Sequence, residues 1–175
     1  MTDSRVREAT TLDDAPVLQL MTEYMTWALA TFEATYGFAM EMEPEHTAAS
    51  LDKFRLPMGL LALAEVDGVP AGVAALRVLD DGIDGVDGVV VELKRMFVRP
   101  EHRGAGLGAE MLDWLLTRSR DDFGARTIRL DSNRFMTDAH RLYESRGFTE
   151  RAAYPGSEIP ADLQRLWRFY ELHPA

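Results

Sequence analysis

Cysteine is absent from this sequence, and its absence excludes several kinds of chemistry. A chain without cysteine has no disulfide framework, no thiolate metal site and no cysteine nucleophile. Histidine, another common metal ligand, occurs without ligand spacing at His46, His102, His140 and His173. We therefore predict no metal site, and any group transfer by this protein is direct or uses another nucleophile.

Long hydrophobic runs are absent as well. No apolar stretch approaches the roughly 20 residues that span a bilayer, and the N-terminal residues Met-Thr-Asp-Ser-Arg lack the apolar segment of a signal peptide. We expect a soluble, cytoplasmic protein with no membrane partner. The 175 residues, 46% of them hydrophobic, suffice for one sizeable core, so residues 1–175 are interpreted as one domain without repeats or linkers.

Positive charge is scarce, because 29 acidic residues outnumber 19 lysines and arginines and give a net charge of −10. Nonspecific nucleic-acid binding needs an excess of cations on one face, so nucleic acid is not an expected partner. The balance reverses between positions 94 and 103, where Lys94, Arg95, Arg99 and Arg103 accompany a single acid, Glu101. This basic island favours a small anionic ligand, with chance clustering on a solvated turn as the alternative.

The sequence does contain a glycine-rich segment, VRPEHRGAGLGAE, over residues 98–110. It follows an apolar strand-like run and leads into an amphipathic helix. Gly104, Gly106 and Gly108 let the backbone approach a ligand without a Cβ in the way. The helix that follows presents unpaired N–H groups and the positive end of its dipole. We interpret this glycine cradle as a binding site for a diphosphate.

Apolar periodicity predicts elements in the order β, α, α, β, β, β, α, β, α, β, β. The predicted strands are Arg5–Ala9, Leu60–Val66, Ala71–Leu79, Val89–Val98, Arg126–Asp131, Phe148–Ala153 and Leu166–Leu172. The predicted helices are Ala15–Thr35, Pro44–Phe54, Thr137–Arg146 and a helix after the cradle with apolar Leu107, Met111, Leu112, Leu115 and Leu116.

Turn signals separate these elements. A capping box over Thr11–Asp14 predicts the start of the first helix, and Asp67-Gly68 predicts a tight hairpin. The acidic segment Asp80–Gly88 lacks the spacing of a calcium loop. We interpret it as a polar hairpin tip.

With these elements in place, the chain resembles the GCN5-related N-acetyltransferase (GNAT) superfamily. Arg103, Gly106 and Gly108 match its cofactor signature, "ELKRMFV" lies on the strand upstream, and "AHRLYESRGF" lies downstream. The two motif blocks cover about residues 89–150. The resemblance implies an α/β (α+β) fold: a mixed, mostly antiparallel central sheet with helices on both faces, splayed at the strand before the cradle.

The resemblance also implies acetyl-CoA as co-substrate, with direct acetyl transfer to a primary amine of a small molecule or peptide. Backbone groups of Met96, Phe97 and Val98 would hold the pantetheine arm, and one N–H would polarise the thioester carbonyl. Plain strand core is the alternative for these three residues. The pyrophosphate contacts would come from Arg103, Gly104, Ala105, Gly106, Leu107 and Gly108.

Glu92 is the predicted general base. An acid inside so apolar a strand is costly to bury, which indicates a specific role. It also lies six residues before Val98, where the resemblance implies the catalytic glutamate of the histone-acetylating branch. The alternative is a strand-edge glutamate paired with an arginine. Whether the proton reaches Glu92 directly or through water stays open.

Tyr143 is the predicted general acid, because Ala139, Leu142 and Tyr143 match the family's Ala-x-x-Leu-Tyr motif. A phenol with a pKa of about 10 is protonated at neutral pH and can donate to a leaving thiolate. The alternative is a tyrosine packed on the core face of its helix. Many relatives carry a coenzyme-binding Asn at the position of Met136, so no contact is assigned to Met136, and Asn133 stays open as a coenzyme contact.

Two alternative functions are considered for this sequence. A dinucleotide-binding βαβ unit is disfavoured, because the glycines read Gly-x-Gly-x-Gly and do not directly follow their strand. A non-catalytic acyl-CoA-binding regulatory module has the same fold without turnover. The resemblance implies that the first two helices and the last hairpin wall the acceptor site, which points to six aromatic residues: Tyr24, Trp27, Phe32, Tyr36, Tyr154 and Trp167. Core packing is the alternative for most of them. We expect a monomer or homodimer.

Overall fold

The computed structural model describes residues 3–42, 47–79 and 83–174. Seven strands are present in the described residues: β1 Ser4–Glu8, β2 Gly59–Val66, β3 Val69–Val78, β4 Val90–Val98, β5 Thr127–Asn133, β6 Thr149–Arg151 and β7 Trp167–Leu172. The described α-helices are α1 Asp14–Tyr36, α2 Leu107–Phe123 and α3 Thr137–Ser145. The predicted element order is confirmed, except that the second helix is a 3-10 helix.

The strands form one mixed sheet in the order β1-β2-β3-β4-β5-β7-β6. β1 pairs antiparallel with β2, and β7 pairs antiparallel with both β5 and β6. β4 and β5 are parallel, with Val90–Leu93 paired to Thr127–Leu130. That register ends at Leu93, whereas β4 continues to Val98. The predicted mixed, mostly antiparallel sheet is therefore confirmed.

The chain divides into two compact units. The first unit comprises Met1–Ala75 and Arg95–Trp114, and the second comprises Leu76–Lys94 and Leu115–Ala175. β3, β4 and α2 each contribute residues to both units.

The core of the first unit is formed by α1 and its strands. Its buried residues include Ala9, Val17, Leu20, Met21, Leu51, Phe54, Leu61, Leu63, Val73, Ala75 and Phe97. The cap that precedes α1 lies one residue earlier than predicted. Thr10 and Asp13 form the capping box, where Thr11 and Asp14 were expected. Asp13 also accepts two hydrogen bonds from Arg7, which explains why this acid is the one used.

The segment predicted as helix Pro44–Phe54 is a 3-10 helix over Ala48–Phe54. Residues 44–46 of the prediction lie outside the described residues. In a 3-10 helix, side chains three apart share one face. Leu51 and Phe54 are three apart, and both are buried in the core of the first unit, so the tighter helix suits this spacing.

The predicted hairpin is confirmed. Asp67 and Gly68 have φ angles of 50° and 77°, which is the left-handed conformation that a two-residue hairpin turn requires. The prediction for Asp80–Gly88 is only partly covered, because residues 80–82 lie outside the described residues. The remainder includes a short turn, Ile83–Gly85.

The second unit is built on β5, β7 and α3. Ile128, Leu130, Phe169 and Tyr170 are buried there. β6 is shorter than predicted at both ends: Phe148 packs edge-on against Tyr143 before the strand begins, and the strand ends at Arg151. Among the described residues, no helix has the length and apolar character needed to cross a membrane. The cytoplasmic location stays a prediction.

Candidate active site

The glycine cradle lies in the first unit between β4 and α2. Gly104 and Gly106 have φ angles of 79° and 91°, a conformation that L side chains rarely adopt. Both glycines are exposed, and a Cβ added at either position would meet no atom within 4 Å. α2 begins at Leu107, so the N–H groups of its first turn lie next to this open backbone. An anion fits this segment.

The other residues of the predicted cradle lie between the two glycines and in the first turn of α2. Ala105 is exposed between the two glycines, and Gly108 lies in the first turn of α2. Glu110 N donates to the Gly106 carbonyl oxygen at 3.0 Å, which fixes the start of the helix. The backbone that is predicted to receive a pyrophosphate is therefore anchored on its helical side.

Arg103 is held beside the end of β4. Its Nε donates to the Val98 carbonyl oxygen at 2.8 Å. Its guanidinium carbon lies 5.3 Å from the centre of the Trp27 ring and 5.6 Å from that of Phe97, both within cation–π range. The side chain is thus positioned by aromatic residues that the sequence had not linked to it.

The predicted basic island is largely neutralised by ion pairs. In the first unit, Arg99 donates to both carboxylate oxygens of Glu23 at 2.8 Å and to the Pro70 carbonyl oxygen at 2.7 Å. These hydrogen bonds hold the pKa of Glu23 below its usual range. In the second unit, Lys94 pairs with Asp131 at 3.0 Å. Arg103 is the member of the island that the structure places beside the cradle.

The residues predicted to hold the pantetheine arm form the end of β4. The side chain of Phe97 is buried and packs against Tyr24 at 5.8 Å, as the strand-core alternative expects, while Met96 and Val98 are half-buried. Arg95, just before them, has a φ of 55°, which is uncommon for a non-glycine residue and typical of a β-bulge. The predicted contacts use main-chain atoms and stay a prediction.

Glu92 lies in the second unit, and its side chain is fully buried on β4. Arg77 donates to its Oε2 at 2.6 Å, and the hydroxyl of Tyr154 donates to its Oε1 at 2.9 Å. The ammonium group of Lys94 lies 3.7 Å from Oε1. The arginine pairing agrees with the alternative interpretation, but β4 is an interior strand of the sheet, so Glu92 is not a strand-edge residue.

These partners belong to a larger charged cluster in the second unit. Lys94 also lies 3.5 Å from Glu158, and Arg77 lies 3.5 Å from the same carboxylate. With Asp131, the cluster contains three carboxylates and two cations. This cluster was not predicted from the sequence. The available signal was the pair Glu92 and Lys94, because residues two apart share one face of a strand.

The electrostatic environment makes Glu92 easier to protonate. Burial raises the pKa of Glu92, the positive charge of Lys94 lowers it, the negative charge of Asp131 raises it, and Arg77 lowers it. The net effect is a pKa above the usual range for glutamate. A carboxylate with a raised pKa is a more suitable proton acceptor near neutral pH.

Tyr143, the predicted acid, is buried on α3 in the second unit. Its ring packs edge-on against Phe148 at 5.9 Å and lies 6.1 Å from the ring of Tyr170. This packing is what the core-face alternative expects of the ring. The role of the hydroxyl group stays a prediction.

Asn133 is buried at the end of β5 in the second unit. Its Oδ1 accepts a hydrogen bond from Phe135 N at 3.3 Å, and its carbonyl oxygen accepts one from Met136 N at 2.9 Å. Asn133 therefore shapes the turn into α3, and its predicted coenzyme contact stays untested. Among the residues that the structure describes, no group of three or more His, Asp or Glu could hold a metal ion.

Comparison with known proteins shows the family and the fold of this chain. The sequence model of the Acetyltransferase (GNAT) family matches residues 20–148. An uncharacterized N-acetyltransferase of Schizosaccharomyces pombe is 36% identical over 69 residues, which cover 39% of this chain and 42% of that protein. A GNAT acetyltransferase structure from Staphylococcus aureus superposes with a TM-score of 0.71 at 18% identity, covering 98% and 99% of the two chains. The PaiA N-acetyltransferase of Thermoplasma acidophilum, solved with coenzyme A, gives 0.69 at 14% identity, covering 98% and 99%. This chain belongs to the Acetyltransferase (GNAT) family.

Proposed function

We propose that the protein is an acetyl-CoA-dependent N-acetyltransferase that moves an acetyl group directly to a primary amine of a small molecule or peptide. Residues 1–175 would form one domain for this reaction. The observation that carries the proposal is the exposed cradle, in which two left-handed glycines stand immediately before the start of α2. Membership of the GNAT family supports it, as does the coenzyme A bound to the Thermoplasma acidophilum protein.

The cradle supplies the coenzyme contacts in this proposal. N–H groups of the segment 104–108 would bind the pyrophosphate, and the Arg103 guanidinium would add charge-assisted hydrogen bonds. The main chain of Met96, Phe97 and Val98 would bind the pantetheine arm, and Asn133 is a further candidate contact. When bound, acetyl-CoA supplies the activated acetyl group.

Glu92 would act as the general base. The acceptor nitrogen must be neutral to attack a carbonyl, so a group of raised pKa is needed to accept its proton. The raised pKa of Glu92 supports this role. Arg77 and Tyr154 fix the orientation of its carboxylate from both sides.

Tyr143 would act as the general acid. Its phenol is a neutral donor at physiological pH and would protonate the thiolate as it leaves. The edge-on packing of the ring against Phe148 holds the side chain in place, which a donor of this kind requires.

One observation favours the alternative of a non-catalytic acyl-CoA-binding module. Both carboxylate oxygens of Glu92 accept hydrogen bonds from protein groups, as those of a structural acid also do. Turnover separates the two functions, because a non-catalytic module binds acetyl-CoA without producing free coenzyme A.

The test is a coenzyme A release assay with acetyl-CoA and a panel of primary amines: amino acids, polyamines, aminoglycosides and peptides with a free N-terminus. We expect release above the background hydrolysis rate with at least one class. Binding of acetyl-CoA without release for any class would favour the regulatory module. Failure to bind acetyl-CoA would contradict both functions.

A further inference from the structure

Glu92 is enclosed by other side chains, so the route by which a proton reaches it needs an explanation. Its side chain is 0% exposed. Oε2 accepts from Arg77, while Oε1 accepts from Tyr154 and lies near Lys94. A proton from an acceptor amine must therefore pass through one of these three partners.

Of the three partners, only the phenol of Tyr154 can pass a proton on. A guanidinium and an ammonium group have donors but no lone pair to accept with. A phenol hydroxyl donates one hydrogen bond and has lone pairs that accept others. Tyr154 therefore has the chemistry of a relay, which Arg77 and Lys94 lack.

The Tyr154 ring is firmly placed for this task. It is 3% exposed and packs edge-on against Phe169 at 5.7 Å. The guanidinium carbons of Arg129 and Arg151 lie 5.2 and 5.7 Å from the ring centre. The hydroxyl is thus directed at Oε1 of Glu92 by its packing as well as by the hydrogen bond.

We propose that Tyr154 relays the acceptor's proton to Glu92, an inference that rests on the proposed function. The N–H bond of the acceptor ammonium group breaks as its proton bonds to the Tyr154 hydroxyl oxygen, or as it bonds to a neighbouring water that gives one of its own protons to that oxygen. The original hydroxyl proton moves at the same time to Oε1 of Glu92. The phenol is neutral before and after, and the carboxylate becomes a carboxylic acid.

The charges around the pair are consistent with a phenol that stays neutral. Burial raises the pKa of Tyr154, and the negative charges of Glu92 and Asp131 raise it further. The charged groups that face the pair are Arg77 from β3, Lys94 from β4, Arg129 and Asp131 from β5, Arg151 from β6, and Glu158 from the segment before β7. The Tyr154 hydroxyl therefore holds its proton more strongly than an ordinary phenol, whose pKa is about 10.

The experiment compares wild type with Tyr154→Phe and with Tyr170→Phe as a matched control. Tyr170 is also a buried tyrosine of the second unit, and its hydroxyl donates to Glu144 at 2.9 Å. Single-turnover rates are measured across pH with acetyl-CoA and the amine that gives the fastest release in the panel. Thermal melts first establish that each variant is folded.

A relay predicts that Tyr154→Phe lowers the rate on the high-pH plateau by about 10-fold or more, the lower range for a proton-transfer contribution. Tyr170→Phe should keep the wild-type plateau. Adding Tyr154→Phe to Glu92→Gln should cause little further loss, because both act in one step. A Tyr154→Phe plateau equal to wild type, with only the ascending limb moved to higher pH, would reduce Tyr154 to an anchor for Glu92 and overturn the relay.

A second measurement needs no variant. The single-turnover rate of the wild-type protein is measured in mixtures of H2O and D2O. Plotted against the fraction of D2O, the rate should follow a curve, because two protons move in the same step. A linear dependence would overturn the relay. Failure of the proposed function is recognised separately, because the wild-type protein would then release no coenzyme A with any amine of the panel.

Discussion

The two compact units place their candidate functional groups in opposite environments. In the first unit the cradle is exposed and its predicted contacts are backbone N–H groups, which glycine conformation makes accessible. In the second unit the candidate base is a fully buried side chain held by Arg77 and Tyr154. A backbone site depends on local conformation, so glycine spacing reveals it. A buried charged cluster depends on which strands are neighbours, so only the fold reveals it.

The largest effect is expected for Glu92, the buried candidate base of the second unit. Glu92→Gln should lower turnover by roughly 10²-fold at neutral pH and remove the ascending limb of the pH profile, as the loss of a general base does. The measurement is the coenzyme A release rate across pH. Glu144→Gln, which alters another tyrosine-bonded glutamate of the second unit, is the control and should leave the profile unchanged.

Full activity of Glu92→Gln with an unchanged pH profile would contradict the assignment. Glu92 would then be a structural acid, and the base would be another group.

Gly106→Val tests the exposed glycine cradle of the first unit. A branched Cβ would fill the space in which an anion meets the backbone, so the affinity for acetyl-CoA should fall by about 10-fold or more. Gly68→Val is the control, because Gly68 has a similar positive φ in the hairpin turn and open space around it. Both variants should lose about 1 to 3 kcal/mol of stability through backbone strain.

Calorimetric titration with acetyl-CoA and denaturant midpoints separate the two effects. Equal loss of coenzyme affinity in Gly106→Val and Gly68→Val would mean that Gly106 acts only through folding.

A smaller effect is expected at Tyr143. Tyr143→Phe keeps the ring that packs against Phe148 and removes only the hydroxyl. Turnover should fall by about 10-fold while acetyl-CoA affinity is nearly unchanged, because the phenol acts as the thiolate leaves. The measurements are the release rate and the titration on the same preparation. A variant that turns over at the wild-type rate would leave Tyr143 as a packing residue.

The smallest effect concerns stability, where carboxylates of the two units should respond to pH in opposite directions. Hydrogen bonds from Arg7 hold the pKa of Asp13 below its usual range, whereas burial raises that of Glu92. Stabilisation by ionised Asp13 is present above about pH 4 and is lost as the pH falls. Ionising buried Glu92 instead lowers stability as the pH rises above about 4.

Melting temperatures at acid and neutral pH check this difference. Asp13→Asn should cost up to about 1 kcal/mol at neutral pH, because it removes the charge that pairs with Arg7, and less in acid. Glu92→Gln should lower stability less at neutral pH than in acid. The same pH dependence in both variants would contradict the contrast between the two carboxylates.

Local signals predicted most of the fold. Strand and helix periodicity and the Asp67-Gly68 turn each depend on a few adjacent residues, and the structure confirms them. The glycine cradle is local as well, and two of its glycines have the left-handed conformation, while its binding of a diphosphate stays a prediction. The capping box was displaced by one residue because Thr10 and Thr11 are each followed three residues later by an aspartate. Sequence pattern alone did not decide between them, and the Arg7 hydrogen bonds do.

The candidate site was predicted less completely than the fold. Glu92 was singled out because an acid interrupts an apolar strand, but its partners come from distant segments. Arg77 is 15 residues away and Tyr154 is 62 residues away along the chain. Such contacts follow from sheet order and from the path of the segment after β6, which no local pattern encodes. Trp27 beside Arg103 was missed for the same reason.

Whether this chain binds acetyl-CoA is best tested by its melting temperature in the presence of added ligand. A ligand that binds only the folded protein stabilises it by mass action. Acetyl-CoA should raise the melting temperature in a concentration-dependent manner, and NADH should leave it unchanged. A shift with NADH and none with acetyl-CoA at high concentration would contradict the account and favour a dinucleotide-binding protein.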